Sequence, residues 1–202
     1  MIPFITVACN KHAQIKDQLI DEFLIELISD SNFSDEFKLA FIVQLSVAAR
    51  SIEILGGRVN SSSLTEFRGV RKSNFRYDQE KNLLFVDDIE VAKKRNKIDC
   101  REGAIRPVAA KWVREQLLKL GPDEKIYRKS KVAYFKQFKR IHPKLSSHSL
   151  RHTSISEMIN RGIDSVAISK YMAWSQASTA MSYSHINVRS FVENLYSDKK
   201  VA

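Results

Sequence analysis

Residues 147–186, SHSLRHTSISEMINRGIDSVAISKYMAWSQASTAMSYSHI, hold His148, Arg151, His152, Trp174, Tyr183 and His185 in one short C-terminal stretch. Tyr183 is the candidate nucleophile. A phenol with an ordinary pKa near 10 attacks only where a base takes its proton and the target is strongly electrophilic. Cations and an imidazole close by suit a phosphodiester. His148 and Arg151 stand three apart at the start of a helical pattern, so they share its first turn, where the helix N-terminus favours an anion. The flat guanidinium fork of Arg151 matches two phosphate oxygens at once.

The 202-residue chain is long enough for a real core and has a formal net charge of +10 with a pI near 9.6. That excess points to a polyanionic partner. Basic runs at 68–76, 93–97 and 125–140 alternate with Phe67, Phe75, Tyr77, Tyr127, Tyr134 and Phe135, a pattern that suits phosphate contacts beside a packed framework. Any single run also reads as solvated surface lysine. Cys9 and Cys100 are the only cysteines and have no metal-ligand spacing, which argues against a zinc site or a disulfide framework and for a reduced, cytoplasmic setting. The apolar opening is short, without the basic start of a signal peptide. No run approaches the roughly 18 apolar residues of a membrane span.

The elements that must position these groups follow from periodicity. Ile15, Leu19, Ile20, Phe23, Leu24, Leu27 and Ile28 recur at helical spacing over 13–28, with Lys16, Asp17, Asp21, Glu22 and Glu26 opposite. Ser34 then caps a helix over 37–48 that is apolar on nearly every side and therefore buried. Arg50 follows at once, with Glu53 three residues on, either as a surface ion pair of little worth or as a charge put to use. Gly56 and Gly57 end that helix. Residues 83–86 and 89–91 read as short strands leading into a lysine-rich turn, and 103–108 as a third strand that Pro107 confines to an edge or end. Further helices are expected at 109–120 with Trp112 inward, at 131–140, from Ser147 to near Gly162, at 165–172, at 176–185 and at 188–196.

These residues resemble the catalytic domain of the tyrosine recombinases, the phage-integrase superfamily that includes the Cre and Xer enzymes. Arg50 with Glu53 is similar to that family's first arginine and its acidic follower, and a hairpin lysine to its β-strand lysine. His148-Ser149-Leu150-Arg151-His152-Thr153 resembles the H-x-L-R-H-T box, with Gly162 where a glycine follows it. Met172-Ala173-Trp174-Ser175, Thr179 and Tyr183-Ser184-His185 resemble the L-G-H-S, T and Y-x-H pattern. Trp174 stands where most members have histidine, as in Cre-like members, and Ala173 replaces a glycine.

The resemblance implies an α+β, mainly helical fold with a small three-stranded antiparallel sheet, forming one catalytic domain over 1–202. Within it, 1–33 is a lead-in with a helix and 188–198 a C-terminal helix exchanged between subunits. Fewer than fifty residues precede Arg50, too few for the usual N-terminal core-binding domain. It further implies a site-specific recombinase joining DNA through a 3′-phosphotyrosyl link, with no cofactor or metal. Arg50, Lys94, His148, Arg151, Trp174 and Tyr183 would be the catalytic set, and Glu53, His152 and His185 its support. His152 also reads as structural and His185 as an exposed helix end. Lys93 and Lys97 are alternatives to Lys94. The expected partner is double-stranded DNA, with a monomer in solution, dimers and tetramers on DNA, an accessory DNA-bending protein and no membrane. The competing readings are type IB topoisomerase-like relaxation and a non-catalytic DNA-binding accessory protein.

Overall fold

Ser34 starts the element around which the protein is built. Its hydroxyl accepts from the Phe37 N–H and caps α2 (Asp35–Ser46), whose first turn carries Asp35 and Glu36 at the positive end of the helix dipole. Every residue from Phe37 to Leu45 is buried, Lys38 and Gln44 included. A computed structural model describes residues 6–7, 14–15, 20–58, 66–93, 97–174, 176 and 178–181, with side chains at 20–58, 66–91, 99–174, 176 and 178–180. Around α2 pack α1 (Ile20–Ser29), through its Ile20, Phe23, Leu24 and Leu27 stripe, and α5 (Lys131–Ile141), through Tyr134 and Phe138. Aromatic rings bind these layers, with Phe37 on Tyr134 at 5.2 Å and Phe41 on Phe138 at 6.0 Å between centroids.

Before the helical layers come two short strands, β1 (Thr6–Val7) and β2 (Gln14–Ile15), which pair with each other. After α2 the chain turns through α3 (Ser51–Leu55) into the pair β3 (Gly57–Arg58) and β4 (Glu66–Phe67). Three antiparallel strands follow, β5 (Phe75–Asp78), β6 (Leu83–Lys93) and β7 (Lys97–Ala104), in that order in the sheet. The expected three-stranded sheet is present, with different members. Residues 83–86 and 89–91 form one strand broken by a bulge between Val86 and Ile89, where Asp88 has φ +55°. The basic stretch before Asp78 supplies the edge strand, and the returning strand begins at Lys97. Pro107 is therefore the first residue of α4 (Pro107–Leu118), where its missing N–H costs nothing.

The C-terminal helices are α6 (His148–Asn160), ended by Gly162 at φ +74°, then α7 (Ser165–Tyr171) and α8 (Ser178–Met181). A second apolar cluster of Ala48, Ile155, Ile168, Met172 and Ala180 holds them together, apart from the main core. Ala48, just past α2, belongs to that second cluster, so the turn leading to Arg50 lies on the seam between the two. The helix expected over 188–196 lies outside the described residues.

Candidate active site

Glu53 organises the seam. Its side chain has no exposed surface, and its Oε2 accepts from the Arg50 backbone N–H at 2.9 Å while Oε1 takes the Arg50 Nη1 at 3.1 Å. On its other side Arg151 Nη1 lies 3.7 Å from Oε2. A surface ion pair worth little was one expectation for Arg50 and Glu53, and burial overturns it. One buried carboxylate stands between two guanidiniums, the arrangement that lets two cations approach each other in a low-dielectric site. Arg50 retains 40% side-chain exposure, whereas Arg151 has 1%. The first is open to solvent, and the second is held in a fixed position beside it.

Local structure explains how both are aimed. Arg50 is the N-cap of α3 with extended backbone angles, so its side chain leaves the chain where α2 has stopped and α3 has yet to begin. Arg151 sits in the first turn of α6 and donates Nη1 to the Ala48 carbonyl at 2.9 Å, with its guanidinium 5.5 Å from the centre of the Trp174 ring. Trp174, half-buried, follows the left-handed Ala173 (φ +53°) after α7, and its backbone N–H donates to the Ser169 carbonyl at 2.8 Å. His148 opens α6 and is exposed, its ring edge-on to His152 at 4.7 Å. His152 itself is 8% exposed and supports that edge.

Gln44 carries an unforeseen role. Its Nε2 donates to the carbonyls of Ala49 (3.3 Å) and Ser147 (3.0 Å), and its Oε1 accepts from Tyr134 Oη at 2.6 Å. The end of α2, the start of α6 and α5 therefore meet in one buried amide. A glutamine inside an otherwise apolar helix was the sequence signal for it, since a buried amide must be satisfied. Ser154 adds a second tie, donating to the Leu45 carbonyl.

The structure thus brings together Arg50, Glu53, Arg151 and Trp174, and sets His148 and His152 against each other on the helix that carries Arg151. Lys93 and Lys97 pair at the ends of β6 and β7. Lys94, Tyr183 and His185 lie outside the described residues, as do the side chains of Lys93 and Lys97. Among the described residues no group of histidine, cysteine and carboxylate side chains could hold a metal ion.

A family model described as phage integrase family matches residues 66–189, more than half of the chain. The chain belongs to the phage integrase family. Among solved structures similar to it, XerH site-specific recombinase bound to difH substrate has a TM-score of 0.61 at 13% identity, with 91% of this chain and 53% of that one covered. The Tn1549 transposon integrase with circular intermediate DNA gives 0.56 at 15%, covering 90% and 64%. The catalytic domain of bacteriophage HP1 integrase gives 0.53 at 16%, covering 93% and 98%. The fold is that of a tyrosine-recombinase catalytic domain, and the chain spans between half and two thirds of the XerH and Tn1549 chains. No curated protein matches it in sequence.

Proposed function

We propose that this phage-integrase-family protein is a site-specific DNA recombinase in which Tyr183 is the nucleophile. Tyr183 Oη attacks a DNA phosphorus in line and forms the P–O bond of a 3′-phosphotyrosyl link as the bond to the 5′-oxygen breaks. His148 accepts the phenolic proton, and a hairpin lysine, Lys94 in preference to Lys93 or Lys97, protonates the leaving 5′-oxygen. Arg50 and Arg151 hold the non-bridging oxygens, with the Trp174 indole N–H as a third donor where charge develops. A 5′-hydroxyl from a second strand then attacks the phosphotyrosine, and the phenolate leaves with its proton restored. The phosphodiester energy is kept in the covalent intermediate.

The observation that carries this reading is the pair of guanidiniums around one buried carboxylate, with Trp174 against the second. A lone structural arginine needs no such partner set. Double-stranded DNA is the substrate, the protein works in the cytoplasm, and dimers and tetramers form on DNA from a monomer, with an accessory DNA-bending protein.

The test uses a pool of duplexes with randomised central sequence, each nicked near one end so that cleavage releases a short fragment and traps the covalent state. Wild-type protein is expected to form a DNA adduct that survives denaturation, and Tyr183→Phe none. Absence of an adduct across the pool, with binding retained, turns the reading toward a non-catalytic DNA-binding protein. Relaxation of a supercoiled plasmid without exchange turns it toward a topoisomerase.

A further inference from the structure

Arg101, on β7, is as buried as His152 at 8% exposure and belongs to none of the groups discussed so far. Its Nη2 donates to the Val47 carbonyl, and its guanidinium carbon lies 5.1 Å from the centre of the Tyr171 ring. Arg151 makes the matching pair of contacts one residue along, to the Ala48 carbonyl and the Trp174 ring. Gln44 takes the next carbonyl, that of Ala49. Three successive carbonyls that would otherwise be orphaned past the end of α2 are each held by a different side chain. Two arginines bridge the same two segments, the turn before Arg50 and the end of α7.

Gly103 shares the face of β7 with Arg101, two residues on. A Cβ there would stand 2.8 Å from Val47 Cγ1 and 2.9 Å from Tyr171 Oη. The absence of a side chain lets both segments close onto the strand. β7 is also the strand that returns from the lysine hairpin, with Lys97 at its start paired to Lys93.

Stability alone does not account for the arginine. Its Nε and Nη1 are buried without an acceptor among the described residues, and no carboxylate pairs with it there. A guanidinium held by one neutral carbonyl and one aromatic face leaves much of its desolvation cost uncompensated, and an apolar side chain of like volume would be at least as stabilising. What the arginine does supply is direction, since a flat donor fixes an acceptor and a ring face together.

We propose that Arg101, with Gly103 as its floor, is a positioning residue that sets the lysine hairpin in register with the Arg50–Glu53–Arg151 clamp and with Trp174. This rests on the recombinase reading above. The test compares Arg101→Met, Arg101→Lys and Gly103→Ala with wild type, in two arms. Hydrogen exchange on the free protein should show faster exchange in α3 and at 171–174 for Arg101→Met and Gly103→Ala, with α4 and α5 unchanged. Single-turnover cleavage of the trapped duplex at saturating DNA should slow about 100-fold, the scale of a misplacement near 1 Å, while the DNA Kd stays within about twofold. Arg101→Met should melt at or above the wild-type temperature, and Arg101→Lys, which keeps a donor for Val47, should recover part of the rate.

A wild-type cleavage rate in Arg101→Met overturns the proposal, as does a loss of rate that follows only a uniform fall in stability. Should Arg101→Met not fold, a wild-type rate in Arg101→Lys and Gly103→Ala overturns it equally. If wild-type protein forms no adduct, the recombinase reading fails instead. The exchange arm then decides Arg101, and wild-type exchange in α3 would refute its positioning role.

Discussion

Glu53 and Ala173 show what single residues contribute. A buried carboxylate with two guanidiniums within 3.7 Å is the cheapest way to keep cations of the same sign adjacent without a ligand. Ala173 carries the opposite kind of cost. It adopts φ +53°, a left-handed conformation that glycine takes without strain, so the alanine bears the cost of the turn. Ala173→Gly is expected to remove steric strain of roughly 1–2 kcal/mol while adding part of that back as unfolded-state entropy. A net gain of about 0.5–1 kcal/mol should appear as a rise of a few degrees in melting temperature, measurable by calorimetry. No gain would mean that the turn relaxes away from the left-handed region in solution.

At the scale of elements, α5 is tied to the site through its aromatic face and through its end. His142, its C-cap, is buried against Phe138, and burial pulls its pKa down to about 4 from an ordinary value of 6.5. The folded protein therefore binds fewer protons than the unfolded chain between those values. Stability from this group is full above about pH 6.5 and is lost as pH falls toward 4. Chemical denaturation at a series of pH values should show that decline, and His142→Phe, which keeps the ring but cannot charge, should flatten it over that window. An identical slope in the variant would place the acid sensitivity elsewhere.

Over the whole molecule, the 33 lysines and arginines overstate the number of cations free to meet DNA. The run 68–76 looked suited to phosphate contacts, yet Arg68 pairs with Glu90 at 2.7 Å, Arg71 with Asp123 at 3.0 Å and Arg76 with Asp87 at 2.8 Å. These arginines fasten β5, β6 and the loop after α4. Exposed lysines on and before α5, such as Lys129 and Lys136, are the better candidates for phosphate contact. Replacing either by alanine should reduce the slope of log Kd against log salt by about one, while Arg76→Ala should leave that slope unchanged. Equal effects from all three would show that the ion pairs open when DNA binds.

Sequence alone determined the helical pattern and the buried character of α2 and singled out Arg50, Glu53, His148, Arg151 and Trp174 as candidates, because periodicity, capping residues and motif spacing are local properties of the chain. It misplaced the strands, since a bulge that lets one strand run from Leu83 to Lys93 depends on its partner across the sheet and not on its own alternation. Gln44, Arg101 and Gly103 acquire meaning only in three dimensions. Each acts on a backbone carbonyl or a ring distant in sequence, and such contacts leave no spacing to read. Tertiary structure alone decided that Glu53 is shared between two arginines. Burial of the seam between two apolar clusters makes the carboxylate necessary there, and that seam exists only once α2, α6 and α7 have packed.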